Sequence, residues 1–287
     1  MREHKVQCSS PHGLHQMAYT EWGDPKNPRV LICVHGLTRS GRDFDYLATA
    51  LSDHYRVICP DVVGRGKSDW LAVKDSYQVP QYFCDMVTLI ARLRVESVHW
   101  LGTSLGGLIG MALAAQAKTP ITRLILNDVG PVLTAVSLAR IAQFVGLEPK
   151  FASIEAAEAH VRAVSAQFGQ FSDAQWRYLT VNVTRPIVSV DGKTTGFEMA
   201  YDPGIAQPFK AVITGKDIDL WSIYDVIRCP TLLIRGAESD LLTRETAIAM
   251  TDRGPRANTI EFPNVGHAPM FLDEEQVKVV RDFLVAV

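Results

Sequence analysis

Hydrophobic and polar positions alternate in two short stretches near the start of the chain, REHKVQC and LHQMAYTEW, parted by SSPHG. A period of two on either side of a Pro-Gly break predicts a hairpin. The rhythm then changes. RVLICVHG (29–36), YRVICPDV (55–62), SVHWLGTS (97–104), ITRLILNDV (121–129), PTLLIRGAESD (230–240) and NTIEFPNVGH (258–267) each carry a short, largely β-branched apolar run. Runs that are apolar on both faces are expected as buried strands of a parallel sheet.

Between these runs lie stretches of helical period: RDFDYLATALSD, YQVPQYFCDMVTLIARLRV, LGGLIGMALAAQAK and DEEQVKVVRDFLVAV. Strands alternating with helices predict an α/β protein with a doubly wound, mostly parallel sheet. The stretch from Leu105 to Lys118 is apolar on nearly all sides, so it is placed against the middle of the sheet. From about Val132 to Ile213 the alternation stops. Amphipathic pieces such as SLARIAQFVGL, SIEAAEAHVRAVSAQF and SDAQWRYLTVNV appear there, followed by the turn-rich PIVSVDGKTTGFEMAYDPG. Such a run is too long for a plain loop, and it is expected to be a mainly helical cap over residues 132–213, dividing a core of residues 1–131 and 214–287.

The net charge of −2 and the lack of a basic run leave nucleic acid without an electrostatic footprint. Five scattered cysteines (Cys8, Cys33, Cys59, Cys84, Cys229) form no CxxC pair, which suggests neither a disulfide framework nor a zinc site. No apolar run is long enough for a membrane span and the first residues lack a leader's apolar region, so a cytoplasmic protein is expected. His12 and His15 in HGLH lack the carboxylate support of a metal site and are expected to face solvent. VVGRGKS (62–68) has one residue between its glycines, too few for a phosphate loop, and no cofactor motif is found.

The chemistry concentrates in GTSLG (102–106), where Ser104 stands between glycines at the junction of a strand and a helix. A serine on so tight a turn is strained and exposes its hydroxyl, and the helix beginning there aims the Leu105 N–H at the same point. A serine nucleophile needs a base and the base needs an orienting acid. His267 follows the last strand and Asp240 lies just beyond the strand before it, both on the sheet edge that would carry Ser104. Asp128, after the strand that follows the elbow helix, is the alternative acid. His35 is read as supporting a turn, and His99 as a packed or hydrogen-bonded core residue.

In HGLTRSGRDF (35–44), PDVVGRGKSD (60–69), GTSLGG, PTLLIRGAESD and NVGHAPM the chain resembles the α/β-hydrolase superfamily, in its capped serine esterase and lipase-like branch, over nearly its full length. The resemblance implies Ser104 as nucleophile, His267 as general acid/base, Asp240 as its carboxylate partner, and an oxyanion hole from the N–H groups of Leu37 and Leu105. It implies a hydrolase that cleaves carboxylic esters of small or medium, apolar substrates through an acyl-enzyme, with water as the second substrate and no cofactor.

An elbow serine excludes relatives that need an elbow aspartate, the epoxide hydrolases and haloalkane dehalogenases. Carbon-carbon hydrolysis of ring-cleavage products is the first alternative, although Thr103 stands where those enzymes often carry Asn. Perhydrolase, thioesterase and lactonase chemistry use the same triad, and a small-ligand receptor on the same fold is the non-enzymatic alternative. Trp221 and Met270 are the pocket candidates by chain position; the aromatics and methionine of the cap (Phe144, Phe168, Phe171, Trp176, Tyr178, Phe197, Met199) are core residues first and pocket residues second.

Overall fold

A computed structural model describes residues 1–285. Strands β1 (Arg2–Ser10) and β2 (Gly13–Trp22) form the expected antiparallel hairpin, and β2 continues antiparallel onto β4. The apolar runs become β3 (Val30–Val34), β4 (Arg56–Pro60), β5 (Val98–Thr103) and β6 (Ile121–Asn127), parallel to one another. Helices α1 (Asp45–Leu51), α2 (Val79–Leu93) and α3 (Leu105–Ala114) fill the crossovers.

After β6 the chain leaves the sheet through β7 (Val132–Leu133) and helix α4 (Ala135–Ala142), and continues through β8 (Lys150–Phe151), α5 (Ile154–Val164) and α6 (Asp173–Val183). Each helix starts where its sequence offers a cap: the side chains of Thr134, Ser153 and Ser172 accept the backbone N–H three residues on, and Ser172 with Gln175 closes a capping box. The turn-rich piece is more ordered than its composition suggests. It forms β9 (Thr184–Val188) and β10 (Thr194–Met199), which with β8 make a three-stranded antiparallel sheet, so this run is not purely helical. Helix α7 (Ala206–Ala211) and β11 (Ile218–Asp219) lead back. Ile218 pairs with Leu133 and Asp219 with Val132, so the chain closes on its point of departure a few residues beyond Ile213.

The chain then regains the sheet through α8 (Trp221–Tyr224), β12 (Thr231–Gly236), α9 (Arg244–Asp252), β13 (Asn258–Phe262) and α10 (Glu274–Val285). Ala286 and Val287, the end of the last expected helix, lie outside the described residues. The eight-stranded sheet has the order β1-β2-β4-β3-β5-β6-β12-β13. The central strand β3 is apolar throughout because both faces are covered: Val30, Ile32 and Val34 join the core under α2 and α3, whereas Leu31 and Cys33 join the core under α1 and α10. β13 departs most from the expectation of full burial: it is an edge strand, and Asn258 to Glu261 are exposed; at the start of β6 Thr122 is also exposed and Arg123 half-buried.

The HGLH expectation also changes. His12 is exposed, but His15 is buried and its Nε2 lies 3.0 Å from Asp85 Oδ2 on α2. Gln81 donates to the other oxygen of that carboxylate, and Cys8 stands directly across the hairpin from His15. The donor atoms of Cys8, His15 and Asp85 lie within 4.8 Å of one another, and the hydrogen bonds make this group a polar buckle between the hairpin and α2. No described helix is long and apolar enough to cross a membrane.

Candidate active site

The parallel strands β5, β6 and β12 lie side by side, so the residues that follow them converge on one sheet edge. Ser104 follows β5 with φ 51° and ψ −113°, a conformation a residue with a side chain adopts only under constraint. The constraint is close packing. A Cβ built on Gly102 would lie 2.2 Å from the Gly106 backbone, and one on Gly106 would lie 2.0 Å from the Val34 carbonyl oxygen, so nothing larger than glycine fits on either side of the turn. The Ser104 N–H donates to Asn127 O at 3.1 Å, and the Ser104 carbonyl accepts the first turn of α3.

His267 Nδ1 lies 2.7 Å from Oδ2 of Asp128, which follows β6 and is fully buried. The carboxylate is held on three sides, since Gly236 N–H donates to Oδ1 at 2.8 Å and Ser239 Oγ–H donates to Oδ2 at 2.5 Å. Asp240, the acid expected from the sequence, is elsewhere. Its carboxylate takes the Arg140 guanidinium in a two-point contact of 2.5 and 2.8 Å, and this half-exposed pair ties α4 to the loop after β12. Four residues past the strand end, the chain has turned away from His267, and the neighbour of Asp240 in sequence, Ser239, is the one that reaches the histidine's partner.

Ser104, His267 and Leu37 line one cavity of about 1050 Å³, mouth included. Met270 lines it as expected. Trp221 does not: its ring stacks edge-on with Tyr224 and lies under the Arg253 guanidinium, away from the cavity. Of the aromatics and methionine assigned first to packing, Phe144, Phe168 and Met199 face the cavity, while Trp176 and Phe171 pack against each other behind its wall, in a cluster that shares Phe168 and Met270 with it. The roof comes from the run between β6 and β12, anchored to the core by Gly266 N–H donating to Gln167 O at 2.7 Å and Gln175 donating to Leu272 O at 3.0 Å. Arg39, paired with Asp43, and Arg140 supply charge to walls that are otherwise largely apolar. Sequence reasoning missed Ser239, Arg39 and Arg140: Ser239 and Arg140 act through partners distant in the chain, and Arg39, paired locally with Asp43, reaches the cavity only through the fold.

The main chain completes the site. Leu105 is the first residue of α3, where N–H groups have no carbonyl one turn back. Gly36 comes close enough that a Cβ on it would lie 3.7 Å from Ser104 Cβ. His35, fully buried, donates from Nδ1 to Gly36 O at 2.7 Å and accepts Val62 N–H on Nε2 at 2.9 Å. Burial pushes its pKa down to about 3, so it is a neutral brace for the turn. His99 similarly bonds Tyr55 Oη at 2.9 Å inside the sheet, and burial lowers its pKa to about 4.

Residues 31–282 match the model of the alpha/beta hydrolase family. The chain belongs to that family. It is 51% identical over 282 residues to a 3-hydroxybutyrate-oligomer hydrolase of Cupriavidus necator, covering 97% of this chain and 96% of the relative. It is 24% identical to a pimeloyl-[acyl-carrier protein] methyl ester esterase of Pectobacterium atrosepticum, over 83% of this chain and 87% of that protein. Among solved structures, a putative hydrolase from Rickettsia typhi superposes with a TM-score of 0.90 at 32% identity, covering 99% of both chains. An α/β hydrolase from Novosphingobium aromaticivorans gives 0.85 at 33% identity, again over 99% of both. This member of the hydrolase family therefore shares its fold with close structural relatives along its whole length, the run between β6 and β12 included.

Proposed function

We propose that the protein is a serine ester hydrolase working through an acyl-enzyme on Ser104. The observation that carries the reading is the 2.7 Å contact between His267 Nδ1 and the buried Asp128 carboxylate at the wall of the cavity that holds Ser104. With Nδ1 donating to Asp128, His267 Nε2 is left to accept a proton from Ser104 Oγ. The serine oxygen bonds to the ester carbonyl carbon, and the carbonyl electron pair moves onto oxygen. The Leu37 and Leu105 N–H groups receive that oxyanion. Collapse expels the alcohol with the proton from His267, and water repeats the sequence to release the acid and restore Ser104.

In this reading Asp128 is the orienting acid, Asp240 a tie between α4 and the core, and the run from Val132 to Asp219 a cap whose side chains choose the substrate. Esters of small or medium, mainly apolar acids suit the walls formed by Phe144, Phe168, Met199 and Met270. The 51% identical relative, named for 3-hydroxybutyrate oligomers, makes short oligoesters of 3-hydroxy acids the first substrates to examine.

The test is a panel of p-nitrophenyl esters of graded chain length, run beside 3-hydroxybutyrate dimer and trimer and a dienone ring-cleavage product, with wild type and Ser104→Ala. Ester turnover that disappears in Ser104→Ala, together with fluorophosphonate labelling of Ser104, is expected. Near wild-type rates in Ser104→Ala refute the acyl-enzyme, a preference for the dienone moves the reaction to carbon-carbon hydrolysis, and neither turnover nor labelling favours a ligand receptor.

A further inference from the structure

Arg65, in the PDVVGRGKSD turn, is an ionic side chain with no role in the chemistry above, and it is completely buried. Its Nε donates to Leu37 O at 2.8 Å, and its Nη1 donates to Val63 O at 2.7 Å and to Tyr82 Oη at 3.0 Å. The guanidinium carbon sits 5.0 Å from the Tyr82 ring centroid and 5.7 Å from that of Tyr77. Among the described residues no carboxylate oxygen comes within 4.0 Å of it, and its Nη2 is buried without a partner. The nearby Asp202 carboxylate is engaged by the Tyr77 hydroxyl at 2.6 Å and the Lys74 ammonium at 2.5 Å. Burying a cation without a counter-ion is expensive, and a neutral residue would brace a surface turn at lower cost.

What the charge holds explains its position. The Gly36–Leu37 peptide is planar and trans, so its C=O and N–H point in opposite directions. His35 takes the Gly36 carbonyl into the protein interior, which turns the Leu37 N–H the other way, toward the cavity that Leu37 lines. Arg65 then takes the next carbonyl, that of Leu37 itself, and stops the loop from rotating about Leu37. Two consecutive carbonyls of one turn are thus pinned by two fully buried side chains, His35 from the turn itself and Arg65 from the separate turn after β4.

We propose that Arg65 is a positioning residue for the Leu37 N–H: its guanidinium fixes the turn that carries this donor, and its uncompensated charge adds to the positive potential where the oxyanion develops. The assignment rests on the acyl-transfer reading above. A preorganised donor acts on the transition state and leaves substrate binding little changed. Arg65→Met is therefore expected to lower kcat about 10- to 100-fold with KM within about threefold, and to weaken inhibition by phenylboronic acid, which mimics the tetrahedral adduct, by the same factor.

Arg65→Lys keeps the charge but not the fork, and is expected to fall between the two, with kcat and boronate affinity again dropping in step. Near-UV circular dichroism reports whether each variant is folded, and if Arg65→Met is not, the Lys variant decides. A folded variant whose kcat stays within twofold of wild type, or whose loss is in KM with boronate affinity unchanged, overturns the proposal. Turnover that persists in Ser104→Ala would instead bring down the acyl-transfer reading itself, so the two failures are distinguishable.

Discussion

Replacing Asp128 by Asn tests the site at its most connected point. The carboxylate accepts from Gly236 N–H, Ser239 Oγ–H and His267 Nδ1–H, and an amide can accept at only one of its two heavy atoms. If the Asn oxygen stays on the Gly236 N–H, its NH₂ faces both Ser239 and His267. Ser239 can rotate its hydroxyl, but His267 must turn Nδ1 into an acceptor and carry its proton on Nε2. The imidazole then presents a hydrogen to Ser104 where it should present a lone pair. Shape and burial are almost unchanged, so the loss falls on turnover: about 10³- to 10⁴-fold in kcat, or about 4 to 5.5 kcal/mol of transition-state stabilisation. Steady-state hydrolysis of p-nitrophenyl butyrate, with thermal unfolding as the control, measures it. Asp240→Asn in parallel weakens only a half-exposed ion pair, worth about 0–1 kcal/mol, and is expected to keep kcat within a few-fold. An Asp128→Asn enzyme within tenfold of wild type beside a collapsed Asp240→Asn would refute the reasoning.

Gly106→Ala drives a Cβ to 2.0 Å from Val34 O and should cost about 1–3 kcal/mol or more in stability along with most of kcat, read by urea unfolding and ester turnover. Trp221→Phe, outside the cavity, should leave kcat/KM unchanged, whereas Phe144→Ala on the cavity wall should shift the preferred acyl length in the ester panel. His35 holds its proton only near pH 3 in the folded protein, against about 6.5 when unfolded. Below pH 6.5 the unfolded chain therefore binds the extra proton, and stability falls as the pH drops toward 3, by up to about 1.4 kcal/mol per pH unit from this group. Urea unfolding from pH 7 to pH 4 should show that slope, and His35→Asn should flatten it; an equal slope in the variant would assign the acid sensitivity to other groups.

The strands, their order of chemistry and the elbow were legible in the chain because their causes are local. Doubly buried strands need unbroken apolar runs, as in Val30–Val34, and a strained turn at Ser104 needs Gly102 and Gly106 on either side. The choice between Asp128 and Asp240 was not legible. Both follow a strand that ends on the right edge, and spacing says nothing about which way a loop carries a side chain after the strand stops. The β6–β12 adjacency brings Gly236 N–H and Ser239 Oγ to Asp128, and α4 brings Arg140 to Asp240. The same is true of Arg65, whose contact with Leu37 spans 28 residues and leaves no trace in the local pattern. Sequence determined what most segments would become, strands β8 to β10 excepted, since backbone preference and burial are properties of neighbouring residues. Only the folded chain decided which carboxylate meets the histidine, since a hydrogen bond depends on the relative position of two groups that the sequence keeps far apart.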